Sequence, residues 1–159
     1  MRFDETLILQ EIVADRFEDV LDKMANHLYE LGIVKESYIE AVLEREKTYA
    51  TGLPTNSYSV AIPHTDSEHV NEKAISLAIL KNPVPFGIMG EANAQTPVKL
   101  VFMLAMDEKE SQLTLLQNLM QIFQNENTLE ALATETSKST IRQILHDQLL
   151  GVEQGGNSK

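Results

Sequence analysis

Val98-Lys99-Leu100-Val101-Phe102-Met103-Leu104-Ala105-Met106 is apolar at every position except Lys99. A continuous apolar run without alternation fits a strand covered on both faces, and such a strand needs helices above and below its sheet. Upstream, Ile75, Leu77 and Ile79 alternate with Ala74, Ser76 and Ala78, which predicts a second strand. Asn82-Pro83-Val84-Pro85 should end that strand, leaving a long connection up to Pro97. Further back, Tyr58, Val60 and Ile62 alternate with Ser59 and Ala61 as a third strand, and Leu7-Ile8-Leu9 allows a short first one.

Helical spacing fills the intervals. Phe17, Val20, Leu21, Met24, Leu28 and Leu31 recur on one face, behind Asp15 as N-cap with Glu18 three residues on. Gly32 suits the left-handed residue that closes such a helix. Ser37 with Glu40 opens a second helix reaching about Lys47, with Ile39, Val42 and Leu43 as its inner stripe. Thr51-Gly52-Leu53-Pro54 then breaks the chain. Beyond the central strand, Leu113, Leu116, Leu119, Met120 and Phe123 mark a third helix. A short helix follows near Leu129, and a last one carries Ile141, Ile144, Leu145 and Leu149. Helices before, between and after a few strands imply a layered α/β sandwich. Residues 1–150 form one domain without internal repeats, and the small, polar residues 151–159 read as a flexible tail.

Composition narrows the chemistry. The 159 residues carry 13 basic and 24 acidic side chains, a formal charge of -11 that argues against a nucleic-acid partner. There is no cysteine, so disulfides and thiolate chemistry are excluded. The N-terminus has acids where a secretory signal has bases, and no apolar run approaches the roughly 20 residues that span a bilayer. The expectation is a cytoplasmic protein without direct membrane insertion.

His64 follows Pro63 at the end of the third strand. Proline cannot extend the ladder, so the imidazole should sit on a defined turn at a sheet edge, where it can serve as nucleophile, base or ligand. His27 and His146 read as helix-face histidines without a role. His64-Thr65-Asp66-Ser67-Glu68-His69 gathers two imidazoles and two carboxylates, and a metal-dependent hydrolase built on His64, Asp66 and His69 is a minor alternative, although the spacing matches no standard zinc site. Arg45, between Glu44 and Glu46, is either a surface charge or a bidentate phosphate clamp. No glycine-rich phosphate loop, Gly-x-Ser-x-Gly elbow or His-Glu-x-x-His helix is present, and no cofactor is expected.

Ser59-Val60-Ala61-Ile62-Pro63-His64 resembles the active-site signature of the mannitol/fructose-type enzyme IIA of the bacterial phosphoenolpyruvate-dependent sugar phosphotransferase system (PTS). Ala41-Val42-Leu43-Glu44-Arg45-Glu46, Val84-Pro85-Phe86 and Gln112-Leu113-Thr114-Leu115-Leu116 support the resemblance, which covers roughly residues 7–149. It implies a three-layer α/β/α sandwich with a mixed β-sheet. It also implies a phosphotransferase in which His64 accepts a phosphoryl group on Nε2 from phospho-HPr and passes it to a IIB component, with Arg45 holding the phosphate. Mannitol and fructose members usually carry a second active-site histidine where this chain has Gln112. Galactitol-type members look closer, with Gln-Leu-x-Leu-Leu at that helix and a histidine five residues past the active one, as His69 is here. The resemblance therefore implies a carrier for galactitol or a related alditol. The spacing of His69, a few residues past His64, suggests that it folds back over the strand end and contacts the phosphate, with Gln112 as a neutral donor. A IIA-type regulatory phospho-switch acting on a protein partner is the alternative.

Overall fold

The computed structural model describes the backbone of residues 1–107 and 109–157 and the side chains of residues 1–107 and 113–149. The strands are β1 (Ile8–Ile12), β2 (Gly52–Leu53), β3 (Ser59–Ala61), β4 (Ala74–Ile88) and β5 (Glu91–Ala105). The helices are α1 (Phe17–Glu30), α2 (Ser37–Thr48), α3 (Lys109–Phe123), α4 (Glu126–Thr134) and α5 (Lys138–Asn157). Two 3-10 turns, Glu5–Leu7 and Ser67–His69, complete the described elements. The backbone of α5 runs on through 151–157, in place of the flexible tail that the sequence suggests, and the side chains of 150–159 lie outside the described residues.

The sheet is mixed. β4 pairs in parallel with β1 and antiparallel with β5, β5 pairs in parallel with β3, and β3 pairs antiparallel with β2. A parallel bridge from Gly52 to Ile88 returns β2 to the end of β4. Side chains alternate across this sheet into two cores, as the twofold period of a strand requires. One core joins Ala74, Ala78, Val101 and Met103 to Val20, Leu21, Met24 and Leu28 of α1 and to Tyr38 and Val42 of α2. The other joins Ile75, Leu77, Leu100, Phe102 and Leu104 to Leu115, Leu119 and Ile122 of α3, Leu129 and Leu132 of α4, and Ile141 and Leu145 of α5. The architecture is thus a three-layer α/β/α sandwich, and residues 100–106 are buried throughout, as a doubly covered strand should be.

The structure corrects the long connection expected after residue 82. β4 continues through Pro83 and Pro85 to Ile88 and forms a hairpin with β5, turning at Met89 and Gly90. Pro85 lies opposite Pro97, so two residues lacking N–H groups share one ladder position, and the register shifts between Ile79 and Val84. Two helix starts also move by one residue each. α1 begins after Arg16 without a side-chain cap, and α2 begins at Ser37 itself, with Glu36 at the cap position.

α2 is anchored where the site needs it. The buried Tyr38 hydroxyl donates to the Leu104 carbonyl at 2.7 Å, fixing the start of α2 to the end of β5. At the other end of α2, Gly52 packs so tightly against the hairpin that a Cβ there would collide with the Gly87 carbonyl oxygen.

Candidate active site

β3 ends at Ala61, and the next three residues are each held in place. The Ile62 amide donates to the Thr51 hydroxyl oxygen at 3.1 Å. The Pro63 carbonyl accepts from the Leu104 amide at 3.0 Å. The His64 ring turns back so that Nδ1 lies 2.8 Å from the Ile62 carbonyl oxygen. A carbonyl only accepts, so Nδ1 must carry the proton and Nε2 keeps its lone pair.

Burial lowers the His64 pKa below its ordinary value of 6.5. The Ile62 carbonyl opposes this, the Arg45 charge reinforces it, and Asp66 opposes it weakly. The net direction favours neutral imidazole near neutral pH, the form that can attack phosphorus.

Arg45 lies in the last turn of α2. Its guanidinium sits 5.4 Å from the centre of the Tyr49 ring, a cation–π contact, and its Nη1 is 4.0 Å from Asp66 Oδ1. Asp66 is two residues past His64, so the strand end and the helix end meet through this pair. The Arg45 charge also acts on the His64 ring, so the structure brings the two groups into one region of the fold.

His69 is not brought to them. Its Nδ1 lies 2.8 Å from the Ser37 hydroxyl at the first residue of α2, and its carbonyl accepts from the Lys35 amide at 2.9 Å. Ser37 and Arg45 are eight residues apart on one helix, about 12 Å at the α-helical rise. The expectation that His69 folds back toward the phosphate side is thereby corrected: the 3-10 turn at Ser67–His69 carries the imidazole to the opposite end of α2. The same displacement dismantles the His64, Asp66 and His69 metal site. Among the described residues, no group of three or more His, Asp or Glu side chains is placed to hold a metal ion. The Gln112 side chain lies outside the described residues. Its backbone belongs to the first turn of α3, directly after the β5 end that bonds Pro63.

Two residues at the site were not singled out from the sequence. Glu46 is only 4% exposed, and its carboxylate accepts from the Thr51 amide and the Thr51 hydroxyl, each at 2.8 Å. Burial pushes its pKa up to about 7 against both bonds. The available signal was spacing, since Glu46 lies four residues after Val42 and seven after Ile39, on the inner stripe of α2.

The described helices include none long and apolar enough to cross a membrane. The family model for the phosphoenolpyruvate-dependent sugar phosphotransferase system, EIIA 2, matches residues 1–148. The PTS system galactitol-specific EIIA component of Escherichia coli (strain K12) is 32% identical over 120 residues, 76% of this chain and 79% of that protein. The transcriptional regulator ManR of Bacillus subtilis (strain 168) is 31% identical over 108 residues, 68% of this chain but 15% of the regulator. The crystal structure of IIA mannitol from Escherichia coli superposes with a TM-score of 0.75 at 23% identity, covering 91% of this chain and 99% of that one, which establishes the shared fold. With the sandwich and the Pro-His strand end already in place, a match over residues 1–148 leaves one assignment: the chain belongs to the EIIA type 2 family of the phosphoenolpyruvate-dependent sugar phosphotransferase system.

Proposed function

We propose that this protein is a cytoplasmic phosphocarrier that takes a phosphoryl group from phospho-HPr onto Nε2 of His64 and passes it to a IIB component. One observation carries the reading: the His64 Nδ1 bond to the Ile62 carbonyl leaves Nε2 free, with Arg45 alongside. In the transfer, the P–N bond of the donor breaks as the P–Nε2 bond forms, and the donor nitrogen keeps the electron pair. The His64 ring gains positive character, which the Ile62 carbonyl stabilises by accepting from Nδ1–H. Arg45 balances the charge of the transferring group, so the work of the site is positioning and electrostatics. Gln112, in the first turn of α3, supplies a neutral donor to the phosphate. The identity with a galactitol-specific component, together with the Gln-Leu-x-Leu-Leu segment, supports galactitol or a related alditol as the sugar class.

Incubation with phosphoenolpyruvate, enzyme I and HPr tests this, with intact mass as readout. One phosphoryl group should appear, acid-labile and base-stable, and none should appear on His64→Ala. Uptake by His64→Ala would reject the assignment. The match to a transcriptional regulator favours a second reading, a module whose phosphorylation state governs a protein partner. Rapid discharge of the phosphorylated protein by a galactitol-type IIB decides for transport, and a stable phosphoprotein decides for regulation.

A further inference from the structure

Glu46 is a carboxylate inside the protein, and burying one is costly unless its partners repay the lost water. An apolar pair of similar shape would hold α2 to the sheet at least as well. The two bonds from Thr51, one from its amide and one from its hydroxyl, do something an apolar pair cannot. Because Glu46 Oε1 takes the Thr51 hydroxyl proton, the Thr51 oxygen is left to accept, and it accepts from the Ile62 amide at 3.1 Å. The carbonyl of the same Ile62 receives His64 Nδ1–H at 2.8 Å, and Pro63 transmits that orientation through a fixed φ. Glu46 also follows Arg45 directly in α2. A continuous chain of bonds therefore runs from the helix that carries the guanidinium to the His64 ring.

We propose that Glu46 and Thr51 are positioning residues: the carboxylate sets the donor direction of the Thr51 hydroxyl, the hydroxyl fixes Ile62, and the Ile62 carbonyl selects the His64 tautomer that leaves Nε2 free. This rests on the reading of His64 as the phosphoacceptor, and it deepens that reading. Neither residue touches the phosphate. Their effect is on the rate at saturating phospho-HPr and on the ring tautomer, and it leaves donor binding unchanged.

The test uses the full chain with 15N-labelled histidine and measures two quantities, the His64 ring nitrogen shifts and the phosphorylation kinetics. Thr51→Val keeps the shape and removes the hydroxyl. It should introduce the second tautomer at His64 and lower the saturating rate about tenfold, with the half-saturating concentration of phospho-HPr unchanged. Thr51→Ser should restore both readouts. Glu46→Gln, which reverses the polarity of the hydroxyl bond, should move both in the same direction by a smaller amount. A wild-type tautomer in Thr51→Val, or a rate loss that Thr51→Ser does not recover, overturns the proposal. If Thr51→Val fails to fold, Glu46→Gln carries the decision, and an unperturbed His64 tautomer there overturns it equally. Absence of phosphorylation in the wild-type protein would instead defeat the phosphocarrier reading, while the tautomer measurement still judges the network.

Discussion

Nδ1 of His64 lies 2.8 Å from the carbonyl oxygen of Ile62, two residues earlier in the chain. One short-range bond thus decides which ring nitrogen faces outward. It also couples reactivity to pH, because only the neutral ring has a lone pair to offer. Burial holds the His64 pKa below the ordinary 6.5, so the reactive form persists into mildly acidic solution. The phosphorylation rate should be flat between about pH 7 and 8 and fall on acidification, with a midpoint under the ordinary histidine value. The His64 ring proton shifts should titrate with the same midpoint. A midpoint above 6.5 would contradict the environment described.

In its proposed role at the phosphate, Arg45 separates stability from catalysis. Its side chain is 38% exposed and its partner Asp66 72% exposed, so the 4.0 Å pair is screened and contributes little to folding. Arg45→Ala should change stability by about 0.5 kcal/mol or less, measured by denaturant titration. Transfer from phospho-HPr should slow about a hundredfold, the scale of losing one preorganised charged donor. Arg45→Lys should recover only part of this, since an ammonium lacks the planar two-donor fork. Rates within twofold of wild type in Arg45→Ala would make the guanidinium a surface charge.

The layering was legible because residues 98–106 read as a doubly covered strand and the helical stripes were regular. Pro83 and Pro85 misled, since proline signals a strand end unless an opposing proline and a bulge absorb the missing donors, a fact of pairing that local sequence does not carry. The site divided along the same line. His64 stood out by its place after Pro63 and Arg45 only through the family resemblance, whereas Glu46 looked like one more charge in Leu43-Glu44-Arg45-Glu46-Lys47. Thr51, five residues on, reaches it only because of the way the chain leaves α2. His69 fell to the reverse error: nearness to His64 in sequence suggested nearness in space, and an intervening 3-10 turn took the ring elsewhere.

That displacement makes His69 a discriminating position. Its Nδ1 partner is the Ser37 hydroxyl, and its backbone carbonyl, which any substitution retains, accepts from Lys35. His69→Ala should therefore leave the phosphorylation rate within about twofold of wild type, and its effect should add to that of Gln112→Ala, as for residues that share no site. A large loss, or strong non-additivity with Gln112, would show that the imidazole reaches the phosphate during transfer.

Glu46 provides a stability signature independent of any partner. Burial pushes its pKa from the ordinary 4.5 up to about 7. Below pH 4.5 the carboxyl is protonated in both folded and unfolded chains, and its favourable contribution is complete. Between 4.5 and about 7 the unfolded chain loses the proton while the folded one retains it, so stability falls as pH rises. Above about 7 both states are ionised, and the contribution has gone. A shift of this size corresponds to about 3 kcal/mol across the window. Asp4 and Glu18 shift the opposite way, so the comparison must be a difference between two proteins that share them. Urea titrations from about pH 4.5 to 8 should show wild type losing stability relative to Glu46→Gln as pH rises, with the change centred between the two pKa values. A difference independent of pH would mean that Glu46 keeps its charge inside the fold and that the two bonds from Thr51 outweigh its burial.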